Sequence, residues 1–77
     1  MMKEIRKAIA SRDDNSIAAA AHSLKGAAGN FGPNPVFNTA KELEQMGKTQ
    51  RTGGASAVFK RLESDLASLR KRLQQLL

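Results

Sequence analysis

Residues 21–32 read AHSLKGAAGNFG and contain His22, the only histidine of the 77-residue chain. On a helix that turns by about 100° per residue, the apolar side chains of this region fall on one face. That face comprises Ile17, Ala21, Leu24, Ala28 and Phe31. On the same projection His22 points roughly 140° away from the centre of the apolar face, towards solvent. The stretch therefore predicts an amphipathic helix that presents one imidazole to water.

The helical neighbours of His22 are nearly all small. Within two turns they are Ala18, Ala19, Lys25, Gly26 and Gly29. Glycine inside a helix costs about 1 kcal/mol relative to alanine, so two glycines here indicate a surface that a partner protein must approach closely. Lys25 could hold phosphoryl oxygens as a point charge. The competing interpretation is that His22 is an ordinary surface residue and that the glycines mark a frayed helix end or tight helix packing.

The run from His22 to Gly32 resembles the signature of histidine-containing phosphotransfer (HPt) domains of bacterial phosphorelays. The preceding segment, residues 5–21, also resembles the family, and so does Leu43-Glu44 with Gly47 after it. The resemblance covers most of the chain. It implies that His22 is the phospho-accepting residue, that Lys25 stabilises the phosphoryl group, and that partners dock on the small residues Ala18, Ala19, Gly26 and Gly29.

By the same resemblance, the expected reaction is phosphoryl exchange between His22 and the aspartate of a receiver domain. The expected process is two-component signal transduction. The expected partner is a response-regulator receiver domain, a hybrid histidine kinase, or both. The sequence offers no nucleotide-binding glycine loop and no carboxylate cluster for Mg²⁺. We therefore expect no autonomous kinase activity, no metal ligands and no intrinsic cofactor, with Mg²⁺ carried by the partner receiver domain.

Two other functions compete with this one. The first is a non-catalytic HPt-like domain that docks a receiver or kinase without taking phosphate. The second is a small basic nucleic-acid-binding bundle whose cations lie on the last helix: Lys60, Arg61, Arg70, Lys71 and Arg72. The simpler interpretation of that basic cluster is the solvated side of an amphipathic helix.

Composition narrows the class of protein further. Seventy-seven residues make one domain, residues 1–77,. The absence of cysteine excludes disulfides and thiolate metal sites,. No apolar run approaches the ~20 residues of a membrane span, and no signal peptide follows Met1, so we expect a cytoplasmic protein without a membrane partner. The net charge of +6 suits an acidic receiver; without Trp or Tyr to stack on bases, no nucleic acid is expected,.

The pattern predicts helices over about residues 2–11, 15–31, 35–47 and 55–76. One of Asp13, Asp14 and Asn15 is expected to cap the second helix, and Asn34 the third, with Pro35 at its first position. The buried face of the third helix is predicted to hold Val36, Ala40, Leu43 and Met46, with Phe37 beside them. Its solvated side is predicted to hold Lys41, Glu42, Glu44 and Gln45. Residues 48–54 are interpreted as a loop.

The predicted fold is all-α: an antiparallel up-down four-helix bundle with a short first helix. The first helix has about half the length of the last, so the end of the bundle near Phe31 lacks cover. There Leu69, Leu73, Leu76 and Leu77 are expected to have too few neighbours within the chain. Leaving such side chains wet would remove much of a small domain's stability, so we predict a homodimer. The alternative is a truncated domain held together by a longer parent protein.

Overall fold

The computed structural model describes residues 2–75, which form four helices and no strand. They are α1 (Met2–Ala10), α2 (Asp14–Gly29), α3 (Pro35–Lys48) and α4 (Ala55–Gln75). The observed helices begin and end within two residues of the predicted positions at each described end. Leu76, the predicted end of the last helix, and Leu77 lie outside the described residues. Within residues 2–75, no helix combines the length and the apolar character needed to cross a membrane.

The helix ends follow from the capping residues. Asp13 caps α2 by accepting hydrogen bonds from Ser16 N at 3.2 Å and from Ser16 Oγ at 2.8 Å. Asn34 caps α3: its Oδ1 accepts from Phe37 N at 3.0 Å. The buried Asn34 side chain also donates from Nδ2 to the carbonyls of Ala28 and Gly32, at 2.9 and 2.7 Å. Asn34 thus joins the end of α2 to the start of α3.

The core is made of apolar side chains from all four helices. Its buried members are Ile5, Ala8, Ile17, Ala21, Leu24, Ala28, Val36, Ala40, Leu43, Ala55, Val58, Phe59, Leu62 and Leu69. Met2, Ile9, Phe37, Met46, Leu66 and Leu73 are partly buried and pack against this cluster. The predicted apolar faces are therefore largely confirmed, with Phe37 and Met46 at the edge of the core.

Phe31 does not belong to the core, contrary to the prediction. Its relative exposure is 57%. Helix α2 ends at Gly29, and the amides of Phe31 and Gly32 bond to the carbonyls of Ala28 and Gly29 in a tighter turn. The angular spacing of the helix therefore stops before Phe31, and Gly32 follows with a φ of +78°. A glycine takes this left-handed conformation without steric cost.

The apolar end of α4 also differs from the prediction. Leu69 is buried and Leu73 partly buried against the core of the same chain. The expectation that they lack neighbours within the chain is thus wrong for Leu69 and only partly right for Leu73, because α4 packs on α3 as well as on α1. Leu76 and Leu77 lie outside the described residues.

Candidate functional site

His22 lies in the middle of α2 and faces solvent, as predicted: its side chain is 67% exposed. The apolar face of α2 lies on the other side of the helix, where Ile17, Ala21, Leu24 and Ala28 are buried. The imidazole is nevertheless not free to rotate. Its Nδ1 lies 2.8 Å from Oε2 of Glu44, a residue of α3.

Glu44 is buried, with only 2% of its side chain exposed. The prediction that Glu44 lies on the solvated side of the third helix is therefore wrong. The buried face of α3 comprises Val36, Thr39, Ala40, Leu43, Glu44 and Gly47. Those positions recur at three and four residues, so the true face is rotated towards Glu44 relative to the predicted one. Glutamate is almost never this buried unless it is paired, which explains why the polar residue type misled the assignment.

Cations from both helices neutralise the buried carboxylate. Nζ of Lys25 lies 2.6 Å from Glu44 Oε1, and Nζ of Lys48 lies 3.3 Å from Oε2. The Lys25 contact is an ion pair rather than an aligned hydrogen bond, because Oε1 has no partner in hydrogen-bond geometry. Lys25 is 24% exposed and Lys48 58%. Lys48 was assigned to a loop; it is instead the last residue of α3, one turn after Glu44.

These contacts keep the carboxylate ionised. The Lys25 ammonium, followed by the contacts with His22 and Lys48, lowers the pKa of Glu44 to about 2 from its usual 4.5, although burial acts in the opposite direction. An ionised carboxylate only accepts hydrogen bonds. Nδ1 of His22 must therefore carry the proton and donate a hydrogen bond to Glu44, which assigns the lone pair of the neutral ring to Nε2.

The glycines near His22 differ in what surrounds them. A Cβ at Gly26 would have no atom within 4 Å, so this position leaves open space beside the imidazole. A Cβ at Gly29 would lie 3.6 Å from the ring of Phe37, and Gly29 is also the last residue of α2. The openness predicted for both positions therefore holds fully only at Gly26, and the helix-end interpretation fits Gly29.

Ala18 and Ala19 also lie in different surroundings. Ala18 is half-buried and faces Gly47 of α3, where a Cβ would lie 2.9 Å from the Ala18 Cβ. Ala19 is exposed. With Lys7 and Ser23 it helps to line an open groove of about 670 Å³ between α1 and α2. Of the four small residues predicted as a docking surface, Ala19 and Gly26 thus stand open, whereas Ala18 contributes mainly to the packing of α2 on α3.

Two signals in the sequence pointed to Glu44. Leu43-Glu44 with Gly47 is part of the stretch that resembles the HPt family, and Gly47 lies one turn after Leu43 on the same face. Gly47 is buried because α2 crosses it closely: a Cβ there would stand 2.7 Å from Ala18 N and 2.8 Å from Asp14 O. At about 100° per residue, Glu44 lies roughly 60° from Gly47, at the edge of the same face, where it can still be covered by α2.

One of three comparisons with known proteins identifies a family. A family model described as "Hpt domain" matches residues 1–77, the whole chain. A search of curated proteins found no match. A search of solved structures found none either.

Proposed function

The chain belongs to the Hpt domain family, which takes part in phosphorelays, and from this premise we propose that it is a phosphorelay intermediate whose His22 accepts and donates a phosphoryl group. The exchange partner is the aspartate of a response-regulator receiver domain. Hpt domains in general interact with receiver domains and with histidine kinases.

The observation that carries the proposal is the pair His22–Glu44. The ring is 67% exposed, yet its Nδ1 is held at 2.8 Å by a carboxylate that is only 2% exposed. An ordinary surface histidine has no reason to be oriented by a buried ion. This pair fixes both the ring and its tautomer, so Nε2 is the nitrogen presented for reaction.

In the proposed step, the lone pair of Nε2 attacks the phosphorus of an aspartyl phosphate. The N–P bond forms while the P–O bond to the aspartate breaks, and the carboxylate leaves with its electron pair. Nε2 carries no proton beforehand, so no proton has to be removed. The Nδ1 proton stays between His22 and Glu44, whose negative charge stabilises the positive charge that develops on the ring.

Lys25 has a different starting position from the one the sequence predicts. It lies one turn after His22, but its ammonium is paired with Glu44 at 2.6 Å. To neutralise the phosphoryl oxygens, Lys25 must turn from Glu44 towards the new group. The Mg²⁺ of the reaction is proposed to belong to the receiver domain.

The docking surface is proposed to centre on His22 and the open positions around it. Gly26 leaves room for a receiver to close over the ring, and Ala19 continues the low surface towards the groove between α1 and α2. Ala18 and Gly29 support this surface from the α3 side.

The test is chemical labelling that needs no cognate partner. Phosphoramidate transfers its phosphoryl group to a histidine nitrogen with release of ammonia, and ³¹P NMR detects the product as an acid-labile, base-stable phosphohistidine. We expect labelling of the wild type and none of His22→Gln. Label that persists in His22→Gln would place the reaction elsewhere. A wild type that binds a receiver domain but takes no label would favour the docking-only alternative.

Two finer features of the fold, the antiparallel up-down arrangement and the homodimer, stay predictions. The first is supported by the cross-contacts Thr39–Asp65 and Glu42–Arg61, since the residue number rises on α3 as it falls on α4. The second was predicted from the leucines at the end of α4 near Phe31; Leu69 is buried and Leu73 partly buried against the same chain, whereas Phe31 is exposed. A sedimentation mass of one chain at micromolar concentration would contradict the homodimer.

A further inference from the structure

Glu44 has more cationic partners than the orientation of His22 requires. Within residues 2–75, three side chains bring a nitrogen within 4.0 Å of its carboxylate. They are His22 at 2.8 Å, Lys25 at 2.6 Å and Lys48 at 3.3 Å. Glu44 is only 2% exposed with these side chains in place, so they, rather than water, compensate most of its charge. The identity of the neighbouring cations therefore decides whether the carboxylate stays ionised.

The proposed reaction withdraws one of these cations. When Lys25 turns to the phosphoryl oxygens, its charge leaves Glu44 Oε1. A buried carboxylate that loses its counter-ion is strongly destabilised. Such a carboxylate would take up a proton or move, and either change would release the Nδ1 hydrogen bond that sets the tautomer of His22. A second cation that stays beside the carboxylate would hold this hydrogen bond while Lys25 moves and before positive charge has developed on the ring.

Lys48 has the geometry of that second cation. It is one turn after Glu44 on α3, so it does not depend on the position of α2. Its Nζ lies at 3.3 Å from Oε2, the oxygen that also holds His22, and its side chain is 58% exposed. An exposed lysine stem can follow the carboxylate as Lys25 departs.

We propose that Lys48 is a positioning residue for phosphotransfer: it holds the compensating positive charge on Glu44 while Lys25 engages the phosphoryl group. The inference rests on the proposed function. Glu44 then keeps accepting the hydrogen bond from Nδ1 throughout the transfer. Lys48 stays paired with the carboxylate, and Lys25 pairs with the phosphoryl oxygens.

The first experiment uses the unphosphorylated protein. Urea unfolding is measured for Lys25→Met, Lys48→Met and the double variant, with Lys41→Met as an exposed control on the same helix. We expect Lys48→Met to raise the unfolding equilibrium constant about fivefold more in the Lys25→Met background than in the wild type, since groups in one ion-pair network are coupled. In the Lys25→Met background, Lys48→Arg should leave the unfolding equilibrium constant close to the value measured with Lys48 in place. Strictly additive effects of the two methionine variants would overturn the proposal.

The second experiment measures the rate of His22 labelling by phosphoramidate. We expect Lys48→Met to slow labelling about fivefold, Lys48→Arg to restore most of the rate, and Lys41→Met to leave it unchanged. Equal rates for Lys48→Met and Lys41→Met, with a normally labelled wild type, would overturn the role of Lys48 and leave the proposed function intact. A wild type that takes no label would instead contradict the proposed function. The urea-unfolding measurements on the single and double variants would then be the only test of whether Lys48 compensates the charge of Glu44 when Lys25 is absent.

Discussion

Helices α2 and α3 meet over a glycine and a buried carboxylate, whereas α1 meets α4 through an arginine that stays exposed. We call the contact between α2 and α3 the α2–α3 seam. There, a Cβ at Gly47 would stand 2.7 Å from the main-chain nitrogen of Ala18. In the contact between α1 and α4, the α1–α4 seam, the guanidinium of Arg6 lies 5.7 Å from the centroid of Phe59 and 3.6 Å from a carboxylate oxygen of Glu63. Both charged side chains of that ion pair are exposed.

The difference shows where this small protein is rigid. A contact between main-chain atoms cannot adjust by rotating a side chain, so Gly47 fixes the distance between α2 and α3. His22 and Glu44 lie on opposite sides of that seam, and their hydrogen bond depends on the distance. An exposed ion pair contributes only ~0–1 kcal/mol and tolerates movement. The ion pair between α1 and α4 therefore constrains the position of the imidazole less than the α2–α3 seam does.

The largest expected effect is that of Gly47→Ala. The new methyl group would meet main-chain atoms of Ala18 and Asp14 within 2.8 Å, so the two helices must separate. We expect a loss of about 3 kcal/mol, at the upper end for overpacking because main-chain atoms have to move. Urea unfolding measures it. An unchanged unfolding midpoint would contradict the close packing of the α2–α3 seam.

Glu44→Gln should have the next largest effect. The change removes the negative charge shared by His22, Lys25 and Lys48, and we expect it to cost about 2 kcal/mol at neutral pH, as for hydrogen bonds to charged groups. Glu42→Gln is the matched control: Glu42 lies on the same helix and pairs with Arg61, but both side chains are exposed. The control should change stability by less than about 0.5 kcal/mol. Equal losses would show that burial of Glu44 is unimportant.

The contribution of Glu44 should also depend on pH. Its pKa is about 2 in the folded protein against a usual value of 4.5, so the unfolded chain binds the proton more tightly. The stabilisation is therefore fully present above the unfolded pKa and is lost as the pH falls from about 4.5 towards 2. The difference in unfolding free energy between wild type and Glu44→Gln should shrink over that range. A difference that stays constant down to pH 2 would contradict the ion cluster.

Gly26→Ala should separate stability from docking. Nothing lies within 4 Å of the new Cβ, so the variant should gain about 1 kcal/mol of stability from better helix propensity,. The same methyl group would hold a receiver domain away from His22 and slow transfer from a phosphorylated receiver about tenfold. Labelling by the small reagent phosphoramidate should be unaffected. Slowing of both reactions to the same extent would locate the effect inside the protein rather than at the docking surface.

The smallest effect is expected in the α1–α4 seam. Glu63→Gln removes the exposed partner of Arg6, and we expect a loss of at most about 0.5 kcal/mol with unchanged labelling of His22,. Thermal unfolding and ³¹P NMR on the same sample measure both. A large loss of either would show that α1 is coupled to the site.

Local rules made most of this fold predictable from the sequence. The caps at Asp13 and Asn34, the start of α3 at Pro35 and the exposure of His22 all follow from short-range chemistry. The prediction was wrong at Phe31, because the α-helix ends two residues earlier than its apolar pattern suggests. It was wrong at Glu44 because the burial of a charged residue depends on its partners, and two of these, His22 and Lys25, lie on another helix.

The side chain of Asn34 sets how the whole of α3 is rotated about its axis. Its three hydrogen bonds fix where α3 begins, and Glu44 follows ten residues later, about 15 Å along the helix axis,. A slip of a single residue would turn α3 by about 100° and swing the carboxylate away from the imidazole. A substitution that removes the Asn34 hydrogen bonds would therefore lower the reactivity of His22, while the helical content measured by circular dichroism stayed the same.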